Sequence, residues 1–261
     1  MSRGNSSQVG RAASCVSPEG NGGWVLGVAV SMKRIGFIGA GHIGSTLARL
    51  AINAGYEVLL SNRRGPASLS QLVTELGPAA SAVTPVEAAA GDLVVVTVPL
   101  HAIDQLPEAE LVGKTVIDTN NYYPDRDGRI PELDSGDSTT SEMLQRRLPG
   151  SRIVKAFSNV VYLHLRQLPR PANDPQRSTL PMAGDDAGAK ELVAGFADAV
   201  GFDVLDVGEL HQGWRFENGR PAYCLPYAAD PEAMRSSEPG SRPMEAKPAA
   251  RGVIAALIER G

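Results

Sequence analysis

The chain has 261 residues, 43% of them hydrophobic, and its 25 basic and 29 acidic side chains leave a net charge of −4. That balance gives no electrostatic footprint for nucleic acid or an anionic membrane surface, and no apolar run approaches the roughly 18 residues that a membrane span needs. Two cysteines, Cys15 and Cys224, are too few for a disulfide framework, so a reducing cytoplasm is the simplest setting.

Residues 1–31 are rich in Gly, Ser and Asn and show no sustained periodicity, so they are expected to be disordered. Their one apolar run, residues 24–30, follows Arg3 and Arg11 and imitates a signal peptide at the short end of its length range. The competing reading makes Met32 the functional start and the leader dispensable.

From Arg34 the pattern changes. Ile35, Phe37 and Ile38 form an apolar run that feeds Gly39, Gly41 and Gly44, and Ile43, Leu47 and Leu50 then recur at helical spacing. The order predicts strand, tight turn and helix, with the glycines at G-x-G-x-x-G positions. The first permits the turn, the second lets backbone approach a pyrophosphate, and the third allows close packing of helix on strand. N–H groups opening such a helix face phosphate oxygens, where the helix dipole favours negative charge.

Residues 57–60 predict a second strand, which ends in Ser61-Asn62-Arg63-Arg64. A fold that binds NAD carries a carboxylate at this strand end for the ribose hydroxyls. Here the acid is missing and two arginines follow. A carboxylate would repel a 2′-phosphate, whereas a guanidinium grips one with paired, charge-assisted hydrogen bonds. NADP is therefore expected over NAD, with Ser61 and Asn62 as further donors. A solvated surface turn is the bland alternative.

Residues 68–76 predict a helix with Leu69, Leu72, Val73 and Leu76 on one face, followed by a short strand at 82–83 and a short helix at 86–90. The continuous apolar run at 92–98 predicts a strand buried on both faces of a parallel sheet. It closes on Thr97, Pro99 and His101, and such carboxyl ends line the ligand crevice. His101 either caps the next helix or takes part in chemistry. Residues 114–118 form the next predicted strand, ending in Asp118-Thr119-Asn120-Asn121-Tyr122-Tyr123. Asn120 and its neighbours can orient a nicotinamide amide or a substrate, or simply form an Asx-turn.

Residues 125–138 read as loop, 140–148 as a helix, and 152–157 as a strand carrying Lys155 and Phe157 on one side. Residues 180–183 and 202–207 predict two more strands around a helix that reaches Ala199. Gly213-Trp214-Arg215-Phe216 forms an aromatic, basic loop. Residues 229–261 read as a Pro- and Ser-rich tail ending in a short helix, whose stripe of Val253, Ile254, Leu257 and Ile258 needs covering by the chain's own core or by a partner in a homodimer. The four histidines are scattered and no metal-ligand spacing occurs. Alternating strands and helices argue for an α/β fold with a doubly wound, mostly parallel sheet over residues 32–228, extra C-terminal strands and a C-terminal helix.

Residues 32–223 resemble the NADP oxidoreductases that depend on coenzyme F420, a deazaflavin. The resemblance rests on Ile38-Gly39-Ala40-Gly41-His42-Ile43-Gly44, Ser61-Asn62-Arg63, Val96-Thr97-Val98-Pro99, Val116-Ile117-Asp118-Thr119-Asn120-Asn121-Tyr122-Tyr123, Val154-Lys155-Ala156-Phe157 and Ala183-Gly184-Asp185-Asp186. It implies a Rossmann-type NAD(P)-binding fold and a hydride passed between NADPH and the deazaflavin. It implies that Gly39, Gly41, His42, Ile43 and Gly44 hold the pyrophosphate, that Ser61, Asn62, Arg63 and Arg64 meet the 2′-phosphate, and that Thr97, Pro99 and His101 flank the nicotinamide half. Two other readings compete. One is an NADPH-dependent reductase of a small imine, carbonyl or flavin substrate, with His101, Tyr122 or Lys155 as proton donor. The other is a non-catalytic NADP sensor.

Overall fold

The computed structural model describes residues 33–236 and 245–261. The leader, with Cys15 and the run at 24–30, and part of the tail lie outside the described residues. β1 (Arg34–Ile38) enters the glycine turn and α1 (His42–Asn53) leaves it. β2 (Glu57–Ser61), α2 (Ser70–Leu76), β3 (Ala80–Ala82), α3 (Pro85–Ala88) and β4 (Leu93–Val96) complete the first half. Thr84 starts α3 with a capping box, its hydroxyl accepting from the Glu87 N–H while the Glu87 carboxylate returns to the Thr84 N–H. Then come α4 (Glu108–Leu111), β5 (Thr115–Asp118), α5 (Pro124–Asp127), α6 (Pro131–Asp134), α7 (Thr140–Arg147) and β6 (Arg152–Lys155). The stretch expected to be loop thus holds two single helical turns. Each begins with a proline, whose missing N–H costs nothing there, followed by acidic residues that suit the positive helix end.

The chain closes with α8 (Tyr162–Gln167), β7 (Thr179–Gly184), α9 (Ala187–Ala199), β8 (Asp203–Asp206), α10 (Pro231–Ser236) and α11 (Arg251–Arg260). The stretch around Trp214, expected as loop, is a 3-10 helix from Leu210 to Phe216.

The eight strands form one sheet in the order β3-β2-β1-β4-β5-β6-β7-β8. All pairs are parallel except β6 with β7, which run antiparallel through Val154 opposite Gly184 and Lys155 opposite Ala183. The connections run to one side of β1 and then, from β4 onward, to the other. The ends of β1 and β4 therefore diverge from a switch point, where open α/β sheets form their ligand crevice.

Alternation along β1 sends Ile35 and Phe37 to one face and Ile38 to the other, feeding two separate buried clusters. The first joins α1 and α9 through Leu47, Val193 and Phe196; the second takes in Val94, Val96, Val116 and Leu144 of α7. β4 is buried along its whole length, as its unbroken apolar run requires. At the far edge α11 buries Ile254 and Ile258 in the first cluster, while Val253 stays half exposed. Ile254 and Ile258 of the C-terminal stripe are thus covered by the chain's own core.

Candidate active site

The crevice begins with backbone geometry. Gly39 adopts φ +113°, and a Cβ there would lie 2.5 Å from the Thr97 carbonyl oxygen. A Cβ on Gly44 would lie 2.2 Å from the Gly39 oxygen, so helix and turn touch at van der Waals distance only because both positions lack side chains. Gly41, the residue before α1, differs: nothing lies within 4 Å of its Cβ position, which opens onto the crevice. The Gly39 N–H donates to the Ser61 carbonyl (3.0 Å) and the Thr97 N–H to the Ile38 carbonyl (2.9 Å). These bonds hold the exits of β1, β2 and β4 in one line.

Two pockets meet at this turn and share Gly41, Thr97, Val98 and Pro99. The wider one, of about 590 Å³, runs from Gly39 and Ala40 to Asn62, Arg63 and Arg64, with Pro85, Ala102 and Leu106 as its apolar wall. Asn62 Oδ1 accepts the Arg64 N–H at 2.9 Å, an Asx-turn that sets how the two guanidinium groups leave the strand. Both arginines are exposed and, among the described residues, neither has an ion-pair partner. Ser61 departs from expectation: its side chain is buried and its hydroxyl donates to the Phe37 carbonyl at 2.9 Å, so it supports the strand and does not line the pocket.

The second pocket, of about 300 Å³, extends from His42 and Ile43 across Thr119, Asn120 and Asn121 to Tyr123, Arg126, Phe157, Ser158, Tyr162 and Tyr223. The His42 ring stacks on Tyr162 with centroids 4.3 Å apart and planes 13° from parallel, giving one side a flat aromatic surface. Phe157, just past β6, takes φ +58°. That strained turn is held by the burial of its ring against Phe196 and Phe202. Beyond it stands Ser158, whose carbonyl accepts from Asn121 Nδ2 at 2.7 Å. Asn120 Nδ2, Asn121 Oδ1 and Ser158 Oγ are buried and lack a hydrogen-bond partner. Each such orphan costs about 1–3 kcal/mol, and these three line the same small pocket. A ligand that offers both donors and acceptors, as a carboxamide does, would satisfy them.

At the other end of this pocket the hydroxyls of Tyr123 and Tyr223 share a short hydrogen bond. Burial, reinforced by Cys224 and Tyr123, pushes the Tyr223 hydroxyl well above the usual tyrosine range. The Arg126 guanidinium lies 4.7 Å from the centre of the Tyr123 ring and donates to the Asn121 carbonyl at 2.9 Å.

The three side chains expected as proton donors lie elsewhere. His101 sits on an exposed 3-10 turn and lines neither pocket. The Tyr122 hydroxyl accepts the Ile130 N–H (3.0 Å) and lies 3.0 Å from both the Gly128 carbonyl and Asp134 Oδ1, so it organises the loop behind the crevice. Lys155 is fully buried beneath the site. Its Nζ donates to the Asn120 carbonyl (3.0 Å) and to Thr140 Oγ1 (2.8 Å), and lies 3.0 Å from Glu217 Oε1 and 3.9 Å from Asp118 Oδ2. The hydroxyls relay the charge: Thr140 donates to Glu217 (2.8 Å) and Ser141 to Asp118 (2.5 Å). Burial raises the Asp118 carboxyl above its ordinary range despite Lys155. Burial also pushes Glu217 up, but Lys155 and Thr140 outweigh it and hold Glu217 below its ordinary range.

Sequence reasoning missed Tyr123, Arg126, Ser158, Tyr162 and Tyr223 as lining residues. Among the described residues no cluster of His, Cys, Asp and Glu could hold a metal ion, and no helix is long and apolar enough to cross a membrane.

Residues 34–122 match the family described as NADP oxidoreductase, coenzyme F420-dependent. Metalloreductase STEAP3 of Rattus norvegicus is 28% identical over 182 residues, 68% of this chain and 34% of that protein. The F420-dependent NADP reductase of Methanocaldococcus jannaschii is 32% identical over 129 residues, 47% of this chain and 56% of that protein. The chain thus spans about a third to just over half the length of these curated relatives. The crystal structure of a hypothetical protein, SMa0349 from Sinorhizobium meliloti, superposes with a TM-score of 0.66 at 30% identity, covering 75% of this chain and 95% of that one.

Proposed function

We propose that this protein, whose residues 34–122 match the family of NADP oxidoreductases described as coenzyme F420-dependent, transfers a hydride between NADPH and a deazaflavin. The observation that carries the reading is the pair of pockets joined at Gly41, with two arginines at one end and three orphaned amide and hydroxyl atoms at the other. Asn62, Arg63 and Arg64 would hold the 2′-phosphate, and Gly39, Gly41, His42, Ile43 and Gly44 the pyrophosphate. Thr97, Pro99 and Asn120 would border the nicotinamide. The nicotinamide supplies the hydride when bound. The chain's part is to hold two flat rings together and keep water out, with Val98, Pro99, Phe157, Val160 and Val161 as the apolar wall. Since His101, Tyr122 and Lys155 line neither pocket, an acceptor that needs no dedicated acid suits the site.

A second reading has its own support. Tyr123 and Tyr223 bring two hydroxyls into the smaller pocket, so a small imine, carbonyl or flavin could be reduced there with a phenol as hydrogen-bond donor. The test mixes purified protein and NADPH with the oxidised deazaflavin, or with free flavin, and follows the absorbance of both partners. Rapid oxidation of NADPH by the deazaflavin alone is expected. Turnover only with flavin would overturn the deazaflavin assignment, and binding without turnover in either mixture would point to a sensor.

A further inference from the structure

We infer that Lys155 is a positioning residue for the nicotinamide half of the cofactor, acting through the backbone of Asn120. The inference rests on the reading above, in which the smaller pocket takes that half. A lysine buried without any exposure is costly unless its charge is matched, and here the match is built from several directions. Glu217 reaches in from the 3-10 segment after β8, Asp118 comes from β5, and Thr140 and Ser141 come from the first turn of α7. Lys155 and Asp118 are direct neighbours across the β5–β6 ladder. The seat is close: a Cβ on Gly213 would lie 2.6 Å from Lys155 Cδ.

Of the groups around Nζ, Asn120 alone lines the smaller pocket. Its N–H donates to Asp118 Oδ1 at 2.9 Å while its carbonyl accepts from Lys155 at 3.0 Å. Both polar groups of the Asn120 backbone are thus fastened to the buried pair, and only its side-chain amide, with Nδ2 unpartnered, remains for a ligand. A charge-assisted bond to a carbonyl is stronger than a neutral one, so the ammonium fixes where that amide stands. Lys155 touches no ligand itself; it sets the aim of the residue that would.

The test separates aim from stability. Lys155→Met alone leaves two buried carboxylates without a cation and is expected to lower the melting temperature. The double variant Lys155→Met/Glu217→Gln removes the imbalance, because the remaining Asp118, already held above its ordinary range by burial, can protonate. Binding is then measured for NADPH and for 2′,5′-ADP, which lacks the nicotinamide half. The double variant is expected to melt close to the wild type, to bind 2′,5′-ADP within about twofold of it, and to bind NADPH about tenfold more weakly, the scale of one hydrogen bond to a charged group. Asn120→Ala is the companion, expected to weaken NADPH alone in the same way. NADPH binding that returns in full with the double variant, while Asn120→Ala remains impaired, would overturn the role of Lys155 alone. If Asn120→Ala is also silent, both this inference and the placement of the nicotinamide half are overturned. A double variant that loses both nucleotides equally would show Lys155 to be structural only, and would likewise overturn the inference.

Discussion

The Thr97 hydroxyl donates to the Gly39 carbonyl at 2.8 Å, so the residue after β4 clamps the glycine turn after β1 from the side. The clamp makes the three motif glycines unequal. Gly39 and Gly44 are closed in by Thr97 and by each other, whereas Gly41 faces open space at an ordinary φ of −77°.

Gly41→Val should therefore leave the circular dichroism spectrum and melting temperature close to those of the wild type and still abolish most nucleotide binding, because on the proposed reading its side chain would stand where the pyrophosphate crosses the turn. A clash of only about 1.4 kcal/mol weakens binding tenfold, and a loss at least that large is expected in an NADPH fluorescence titration. Gly44→Val should instead cost the fold itself. Unchanged affinity in the folded Gly41→Val protein would show that the nucleotide does not cross this turn.

Arg63 and Arg64 stand exposed at the end of β2 with no acid between them and the larger pocket. Replacing both by Ala should remove about 2–4 kcal/mol of preference for NADPH over NADH, given roughly 1.5–3 kcal/mol per charged hydrogen bond and incomplete additivity. The loss should shrink as salt is added, since exposed charges are screened. Parallel titrations of the two nucleotides measure this directly. Equal affinities in the wild type would contradict it.

Glu217 should make stability depend on pH in the acid range. Its folded pKa lies below the ordinary glutamate value because Lys155 and Thr140 outweigh its burial. Its contribution is therefore present above the ordinary range and is lost as pH falls through the depressed value. Asp118 has the opposite sign: its raised pKa means that its contribution declines as pH rises through that value. The wild type should be more stable than Glu217→Gln at neutral pH, by on the order of 2 kcal/mol for a pair that is not completely buried. The gap should narrow below about pH 4. Melting curves of both proteins between pH 3 and about pH 8 test the sign, and a gap that widens on acidification would refute it.

What could be read from the sequence was what is local. The turn glycines and the arginine pair follow their strands within a few residues, so spacing alone located them. Ser61 closes its strand, and its hydroxyl turns to the Phe37 carbonyl of the neighbouring strand, a contact that spacing along its own strand does not reveal. Lys155 reads from the sequence as a candidate proton donor, whereas its surroundings depend on the neighbouring strand, where Asp118 faces it, and on Glu217, which arrives from more than sixty residues away. Tyr162 and Tyr223 reach the pocket only through the folded path of the chain, and nothing near them in sequence announces it. Arg126 was hidden in a polar stretch whose single helical turns are too short to show a period.

Gly41, Thr97, Val98 and Pro99 belong to both pockets at once, and that common wall has a consequence for how tightly a two-headed ligand is held. A nucleotide whose halves are covalently joined across it meets the second pocket as an intramolecular event, at an effective concentration set by the short bridge between the halves. Neither pocket then has to grip strongly by itself. On the proposed reading the smaller one could remain open and only partly satisfied in the free protein, with space for a second ring, while the arginine end would keep the nucleotide in place.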